Sequence, residues 1–213
     1  QSCQRDACKF NLKNESLIIY NKESLKRLAE ILSGEIFVLY NLDMGICPGD
    51  LKTGSIFLQL DESLKEEEYL MEIDDAALIR GGSYKAVAMG TVTLLQYLEG
   101  TDYIEVPWIK IRDIPFSEYR GLLIDVARKW HSFETIKQVI ILCRWYKIGY
   151  LQLHLSDDQS FTFPSTAFPL FATPKRSYTL EQLRELEAYA RDYGVTIIPE
   201  LDIPGHSGYI VNA

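Results

Sequence analysis

The chain predicts an α/β protein in two parts: an N-terminal α+β domain, then the opening βα units of a parallel barrel. Three observations predict this. Up to about Pro115, strand and helix signals mix with a hairpin signal. From Tyr119 onward, three apolar strand runs are separated by stretches long enough to be helical crossovers, which makes the strands parallel. Polar side chains of the kind that do chemistry then gather just past the carboxyl end of each run, the face on which parallel barrels build their sites.

In order, Ser16 to Tyr20 reads as a strand. A helix follows with Leu25, Leu28, Ala29 and Leu32 on one face and Gly34 as its stop. Glu35 to Tyr40 and Ser55 to Leu60 read as strands, and Tyr69 to Ile73 with Ala76 to Arg80 as a tight hairpin around Asp74-Asp75. Ser83 caps a second helix, whose Tyr84, Val87, Ala88, Thr91, Leu95 and Leu98 recur at helical spacing. The economical arrangement is an antiparallel sheet with helices on one face. Ile104 to Pro115, with two prolines, reads as a connector, so residues 1–116 form one domain and 117–213 the next. In the second, Gly121 to Val126 is a strand, Ser132 caps a helix to about Lys147, and Tyr150 to Leu155 is a strand. Thr179-Leu180-Glu181-Gln182 is a capping box opening a helix that Gly194 stops, and Val195 to Leu201 is the third strand.

Composition narrows the function. A hydrophobic content of 47% suits a packed core. A formal charge of −8, from 22 Lys+Arg against 30 Asp+Glu, argues against nucleic acid or an anionic membrane as partner. No apolar run is long enough to span a bilayer, and no secretory leader is visible at Gln1. Cys3, Cys8, Cys47 and Cys143 follow no zinc spacing. Cys3 and Cys8 are close enough to bridge in an extracytoplasmic compartment, whereas Cys143 reads as a buried core thiol.

A parallel βα series either closes into an eight-fold barrel or lies open. Open sheets usually carry a Gly-rich phosphate turn after the first strand, and Asp125-Val126-Ala127-Arg128 is not one. The barrel is therefore expected, but about 95 residues follow the boundary against roughly 250 for a whole barrel. Three βα units of a TIM-type (β/α)8 barrel, cut short, is the reading. The polar groups at the strand ends are Asp125 and Arg128, then His154, Asp157 and Asp158, then Glu200, Asp202 and His206. Each has a bland explanation: an ion pair closing the turn for Asp125 and Arg128, caps or turn formers for Asp157 and Asp158, a turn histidine for His206. Three separate strand ends carrying such groups argue for a site. A metal is not expected, because no histidine pair has the spacing of a zinc helix motif.

The runs Arg120-Gly121-Leu122-Leu123-Ile124-Asp125-Val126-Ala127-Arg128, His154-Leu155-Ser156-Asp157-Asp158-Gln159 and Pro199-Glu200-Leu201-Asp202-Ile203-Pro204-Gly205-His206-Ser207 resemble, in order, β-N-acetylhexosaminidases of glycoside hydrolase family 20. Gly90-Thr91-Val92-Thr93-Leu94-Leu95-Gln96 and Ile111-Arg112-Asp113-Ile114-Pro115 resemble that family's accessory domain and the lead-in to its barrel. The resemblance implies retaining hydrolysis of terminal β-linked N-acetylglucosamine or N-acetylgalactosamine from glycans or oligosaccharides, assisted by the substrate's own acetamide. It implies no cofactor, and an extracytoplasmic or lysosomal location. By the family pattern, Arg128 would hold hydroxyls of the terminal sugar, and Asp157 with His206 would support the catalytic acid. His154, Asp158, Glu200 and Asp202 would fix loops and rotamers around them.

Two departures stand out. Ser160-Phe161-Thr162 replaces the Gly-Trp-Arg that often follows Asp-Asp-Gln. The family's catalytic Asp-Glu pair belongs to a later strand; the Asp-Glu found here, Asp61-Glu62, lies in the accessory half. The expectation is a hexosaminidase fragment without its catalytic pair. The alternative is a non-catalytic carbohydrate-binding or structural module.

Overall fold

A computed structural model of the chain describes residues 9–98 and 105–212. Cys3 and Cys8 lie outside the described residues. These residues fall into two compact units, one ending at Phe116 and one starting at Ser117.

The first unit runs β1 (Lys9–Asn11), β2 (Leu17–Tyr20), a 3-10 turn (Glu23–Leu25), α1 (Lys26–Tyr40), β3 (Gly45–Pro48), β4 (Ile56–Leu60), β5 (Tyr69–Ile73), β6 (Ala77–Gly81), α2 (Tyr84–Leu98), β7 (Glu105–Pro107) and β8 (Ile109–Asp113). β1 pairs antiparallel with β7. The other strands form one sheet in the order β3-β2-β4-β6-β5-β8.

Three expectations change here. Gly34 does not stop α1, which continues through Glu35 to Tyr40 and ends at Asn41 in the left-handed conformation (φ 55°). Leu28, Ile31, Leu32 and Ile36 keep one buried face across the glycine, so tertiary burial outweighs its weak helix propensity. Second, the sheet is mixed rather than antiparallel: β2 is parallel to β3 and β4, and β4 to β6. Only β5 runs against its neighbours. The cause is the longer helix, because α1 is the crossover of a β2-α1-β3 unit whose short return strand carries no strong strand signal. Third, the expected connector is largely strand. β8 pairs along its length with β5, from Tyr69↔Asp113 to Ile73↔Ile109, and alternates Ile109-Lys110-Ile111-Arg112 between apolar and charged. The prolines beside it sit at or beyond strand ends, where no ladder hydrogen bond is lost.

In this unit α1 lies on β2 and β3, α2 lies on β4, β5 and β6, and the helices touch. Gly90 makes the α2 packing possible: a Cβ there would come within 2.5 Å of the Ile79 side chain and 3.1 Å of Tyr69.

The second unit is β9 (Gly121–Asp125), α3 (Phe133–Trp145), β10 (Tyr150–His154), α4 (Leu180–Asp192), β11 (Thr196–Glu200) and α5 (Gly208–Val211). Its three strands are parallel in the order β11-β10-β9. Ser132 accepts from the Thr135 backbone N–H at the start of α3, and the Thr179/Gln182 capping box opens α4. Leu151 and Leu153 of the central strand, and Leu155 just past its end, pack with Ile136, Ile140 and Cys143 of α3 and Leu186 and Ala190 of α4. Burial pushes the Cys143 thiol up to about 11, as a core position should.

Because side chains alternate along a strand, the residues between these leucines face away from the helices. In register, that second face carries Tyr150 beside Gly121 and Thr196, then Gln152 beside Leu123 and Ile198, then His154 beside Asp125 and Glu200. The last row puts three ionisable groups side by side at the carboxyl ends.

Candidate active site at the strand ends

Asp125 ends β9 and closes the turn that follows it. Its Oδ1 accepts from the backbone N–H of Ala127 (3.1 Å) and Arg128 (2.8 Å), and its Oδ2 from Arg128 Nη1 at 2.6 Å. Burial raises the carboxyl's pKa, but these hydrogen bonds and the guanidinium outweigh it and leave the group below the usual carboxylate range. The ion pair with Asp125 in turn raises Arg128. This is the turn-closing role anticipated for Asp125. It also aims Arg128 across the strand ends.

Arg128 Nη2 lies 3.0 Å from Asp157 Oδ1 and 3.0 Å from His206 Nδ1. His206 Nδ1 is itself 2.9 Å from Asp157 Oδ1. Asp157 is buried at 4% exposure, while the Arg128 and His206 side chains are each 44% exposed. Guanidinium only donates and carboxylate only accepts, so a neutral His206 either donates from Nδ1 to Asp157 or accepts there from Arg128. Both arrangements leave the buried carboxylate paired.

A second cluster adjoins this one. His154 Nδ1 lies 2.7 Å from Glu200 Oε1 and 3.9 Å from Asp202 Oδ2. Gln152 donates to the other oxygen of Glu200. Burial raises Glu200, yet hydrogen bonds from Gln152 and His154 prevail and hold its carboxyl below the ordinary range. The His154 ring meets His206 edge-on, centroids 5.3 Å apart. Asp202 is anchored through its backbone N–H to Ser156 Oγ (2.9 Å), and Asp158 Oδ1 accepts from the Gly208 N–H (2.8 Å) at the start of α5. A Cβ at Gly208 would lie 2.7 Å from that oxygen, so a larger residue there would push the Asp158 carboxylate aside.

The structure thus gathers Arg128, Asp157 and His206 in one cluster and His154, Glu200 and Asp202 in the next. Asp158 stands apart as the anchor of the α5 turn. Three residues that sequence reasoning did not single out support the site. Gln152 fixes Glu200. Arg176 donates to the backbone carbonyls of Ala127 (3.3 Å) and Arg128 (3.1 Å), and Ser160 Oγ to that of Ala127 (2.5 Å), bracing the loop that carries Arg128. Gln152 was detectable, since strand alternation places it on the His154 face; Arg176 and Ser160 lie in irregular loops with no periodic signal. The unusual Ser160-Phe161-Thr162 run is buried throughout. Thr162 bonds the Leu155 carbonyl and Phe161 packs edge-on to Phe163 and Phe171.

Two groups of side chains bring ligand atoms within 4.8 Å of one another, His154 with Asp157 and His206, and His154 with Glu200 and Asp202. No helix among the described residues is long and apolar enough to cross a membrane.

Both units have known relatives. Residues 117–213 match the family described as glycosyl hydrolase family 20, catalytic domain, and residues 1–114 match glycosyl hydrolase family 20, domain 2. A beta-hexosaminidase of Vibrio furnissii is 30% identical over 96% of this chain, which spans 36% of that protein. The GH20 exo beta-N-acetylglucosaminidase of Vibrio harveyi, solved in complex with N-acetylglucosamine, is 25% identical with a TM-score of 0.80; the match covers 95% of this chain and 35% of that one. The GH20 beta-N-acetylhexosaminidase of Streptomyces coelicolor A3(2) shares the fold, with a TM-score of 0.88 at 22% identity over 98% of this chain and 46% of that one. These neighbours fit an N-terminal domain followed by part of a TIM barrel. With both units matched along nearly their whole length, the chain belongs to glycosyl hydrolase family 20.

Proposed function

We propose that the protein is a retaining β-N-acetylhexosaminidase acting on terminal β-linked N-acetylglucosamine or N-acetylgalactosamine. In this reading residues 1–116 are its accessory domain and 117–213 the first three βα units of its barrel. The supporting observation is the Arg128–Asp157–His206 cluster at three aligned strand ends in a chain of this family. The 2-acetamido oxygen of the bound sugar attacks the anomeric carbon and forms a cyclic oxazolinium, while an acid protonates the leaving oxygen; water then opens the ring with net retention. The Asp that orients the acetamide and the Glu that acts as acid come from residues beyond these 213, since the Asp61-Glu62 pair lies in the first unit.

Arg128 meets the hydroxyls of the terminal sugar. Asp125 holds the Nη1 end of its guanidinium, while the Nη2 end, paired here with Asp157 and His206, is the end that exchanges partners with a neutral, hydroxyl-rich ligand. Asp157 and His206 form a carboxylate–imidazole support for the acid, with the buried Asp157 carboxylate held by its partners. His154, held by Glu200 with Asp202 close by, packs edge-on against His206, and Asp158 fixes the loop bearing His206 through the Gly208 N–H.

In a protein extended to carry the catalytic pair, Arg128→Ala should reduce kcat/KM on a chromogenic β-N-acetylglucosaminide by about two to four kcal/mol equivalents, as loss of a charged contact to substrate does. An unchanged kcat/KM would remove Arg128 from the sugar site. Turnover by the 213 residues alone would place the catalytic pair within them and contradict this assignment.

A further inference from the structure

We propose that His154, Asp157 and His206 form a binding site for a divalent transition-metal ion of the zinc class, which displaces the Arg128 guanidinium as it enters. The proposal goes beyond the hydrolase reading, because binding can be read without turnover.

The ligand set suits such an ion. Zinc takes imidazole nitrogens and carboxylate oxygens, commonly three from the protein with a fourth position open. One nitrogen of each histidine and one oxygen of Asp157 come within 4.8 Å of one another. His154 supplies the independent observation. Its ring is buried, Nδ1 is held 2.7 Å from the Glu200 carboxylate, and Nε2 is sealed from solvent without a hydrogen-bond partner among the described residues. A carboxylate accepting Nδ1–H leaves the lone pair on Nε2 and raises its basicity, the carboxylate–histidine–metal arrangement. Gln152 in turn holds Glu200, so the imidazole is oriented through two layers.

Electrostatics point the same way. A buried carboxylate needs a cation, and in this structure it has Arg128, 3.0 Å from both Asp157 and His206. Arg128 is only half buried and keeps Asp125 as a partner if its Nη2 end leaves. A compact divalent ion gains what a guanidinium cannot, because it accepts lone pairs from two imidazoles as well as the carboxylate. The ion and Arg128 therefore compete for one place.

The test is calorimetric titration of the 213-residue protein with Zn²⁺, with Co²⁺ as an absorption probe. We expect one Zn²⁺ per chain, and a Co²⁺ spectrum without a sulfur-to-metal charge-transfer band. Glu200→Gln should weaken binding by about 10- to 100-fold, the usual cost of losing a supporting carboxylate, and His206→Ala by at least as much. Arg128→Ala should tighten it, since the competing cation is gone. A structural or surface effect would not produce opposite changes in these variants. Circular dichroism melts establish that each variant is folded. Unchanged affinity in His206→Ala, no gain in Arg128→Ala, or a thiolate band assigning the metal to cysteine would each overturn the site.

Discussion

Glu200 shows how a single residue balances burial against the hydrogen bonds it accepts. Burial works against its charge, and hydrogen bonds from Gln152 and His154 win, so its folded pKa lies below the unfolded value. A depressed carboxylate contributes stability that is present above its unfolded pKa, about 4.3, and is lost as pH falls through the folded value. Glu200→Gln should therefore flatten the acid limb of a Tm-against-pH curve relative to the parent; an identical acid limb would show that these bonds contribute no linkage. The polar groups gathered at the strand ends were legible in sequence, because each stands at or just past the end of an apolar run. Asp125, His154 and Glu200 end their strands, and Arg128, Asp157, Asp202 and His206 follow within a few residues. Their pairing was not legible. That Arg128 reaches Asp157 and His206, while His154 turns to Glu200, depends on strand register and on a loop braced by Arg176 and Ser160 from distant positions.

Elements were readable where their signal was local. The caps at Ser132 and Thr179 bond backbone groups only three residues away, so a few residues suffice to announce them. Glycine is the counter-example, because its meaning depends on what surrounds it. Gly34 sits in exposed helix, and a Cβ added there would meet nothing within 4 Å, whereas at Gly90 that atom would collide with Ile79 and Tyr69. Gly34→Ala should accordingly stabilise the protein by about 0.5–1 kcal/mol, the helix-interior penalty of glycine. Gly90→Ala should destabilise it by about 1–3 kcal/mol through overpacking. Chemical denaturation of the two variants checks both, and effects of the same sign would refute the contrast. The same dependence explains the longer α1. Local pattern makes Gly34 a stop, but the buried stripe from Leu28 to Ile36 carries the helix past it, and the hidden crossover turned an expected antiparallel sheet into a largely parallel one.

On the scale of the whole molecule, the second unit covers one face of its sheet with α3 and α4 and leaves apolar groups exposed elsewhere. Tyr119, Leu123, Leu201 and Ile203 are all substantially exposed, and β9 and β11 each pair on one side only among the described residues. Unpaired edges and apolar surface drive association. The 213-residue protein should self-associate with rising concentration in sedimentation velocity, and Leu123→Glu should shift it towards monomer; a monomer at all concentrations would contradict this. The net charge of −8 opposes such association only weakly at physiological salt, where a Debye length of about 8 Å confines each charge's reach. By itself the sequence determined the two-part plan, the parallel βα series after Tyr119, the identity of the polar groups at its strand ends and the resemblance to family 20, because each rests on periodicity, capping or a contiguous run. Only the tertiary structure decided the mixed sheet of the first unit, the strand nature of Ile109 to Asp113, and the division of the site into an Arg128–Asp157–His206 cluster and a His154–Glu200 cluster. The physical reason is that these contacts join residues far apart in the chain, from Ile56 with Ala77 to Arg128 with His206, through register and burial, which no local pattern encodes.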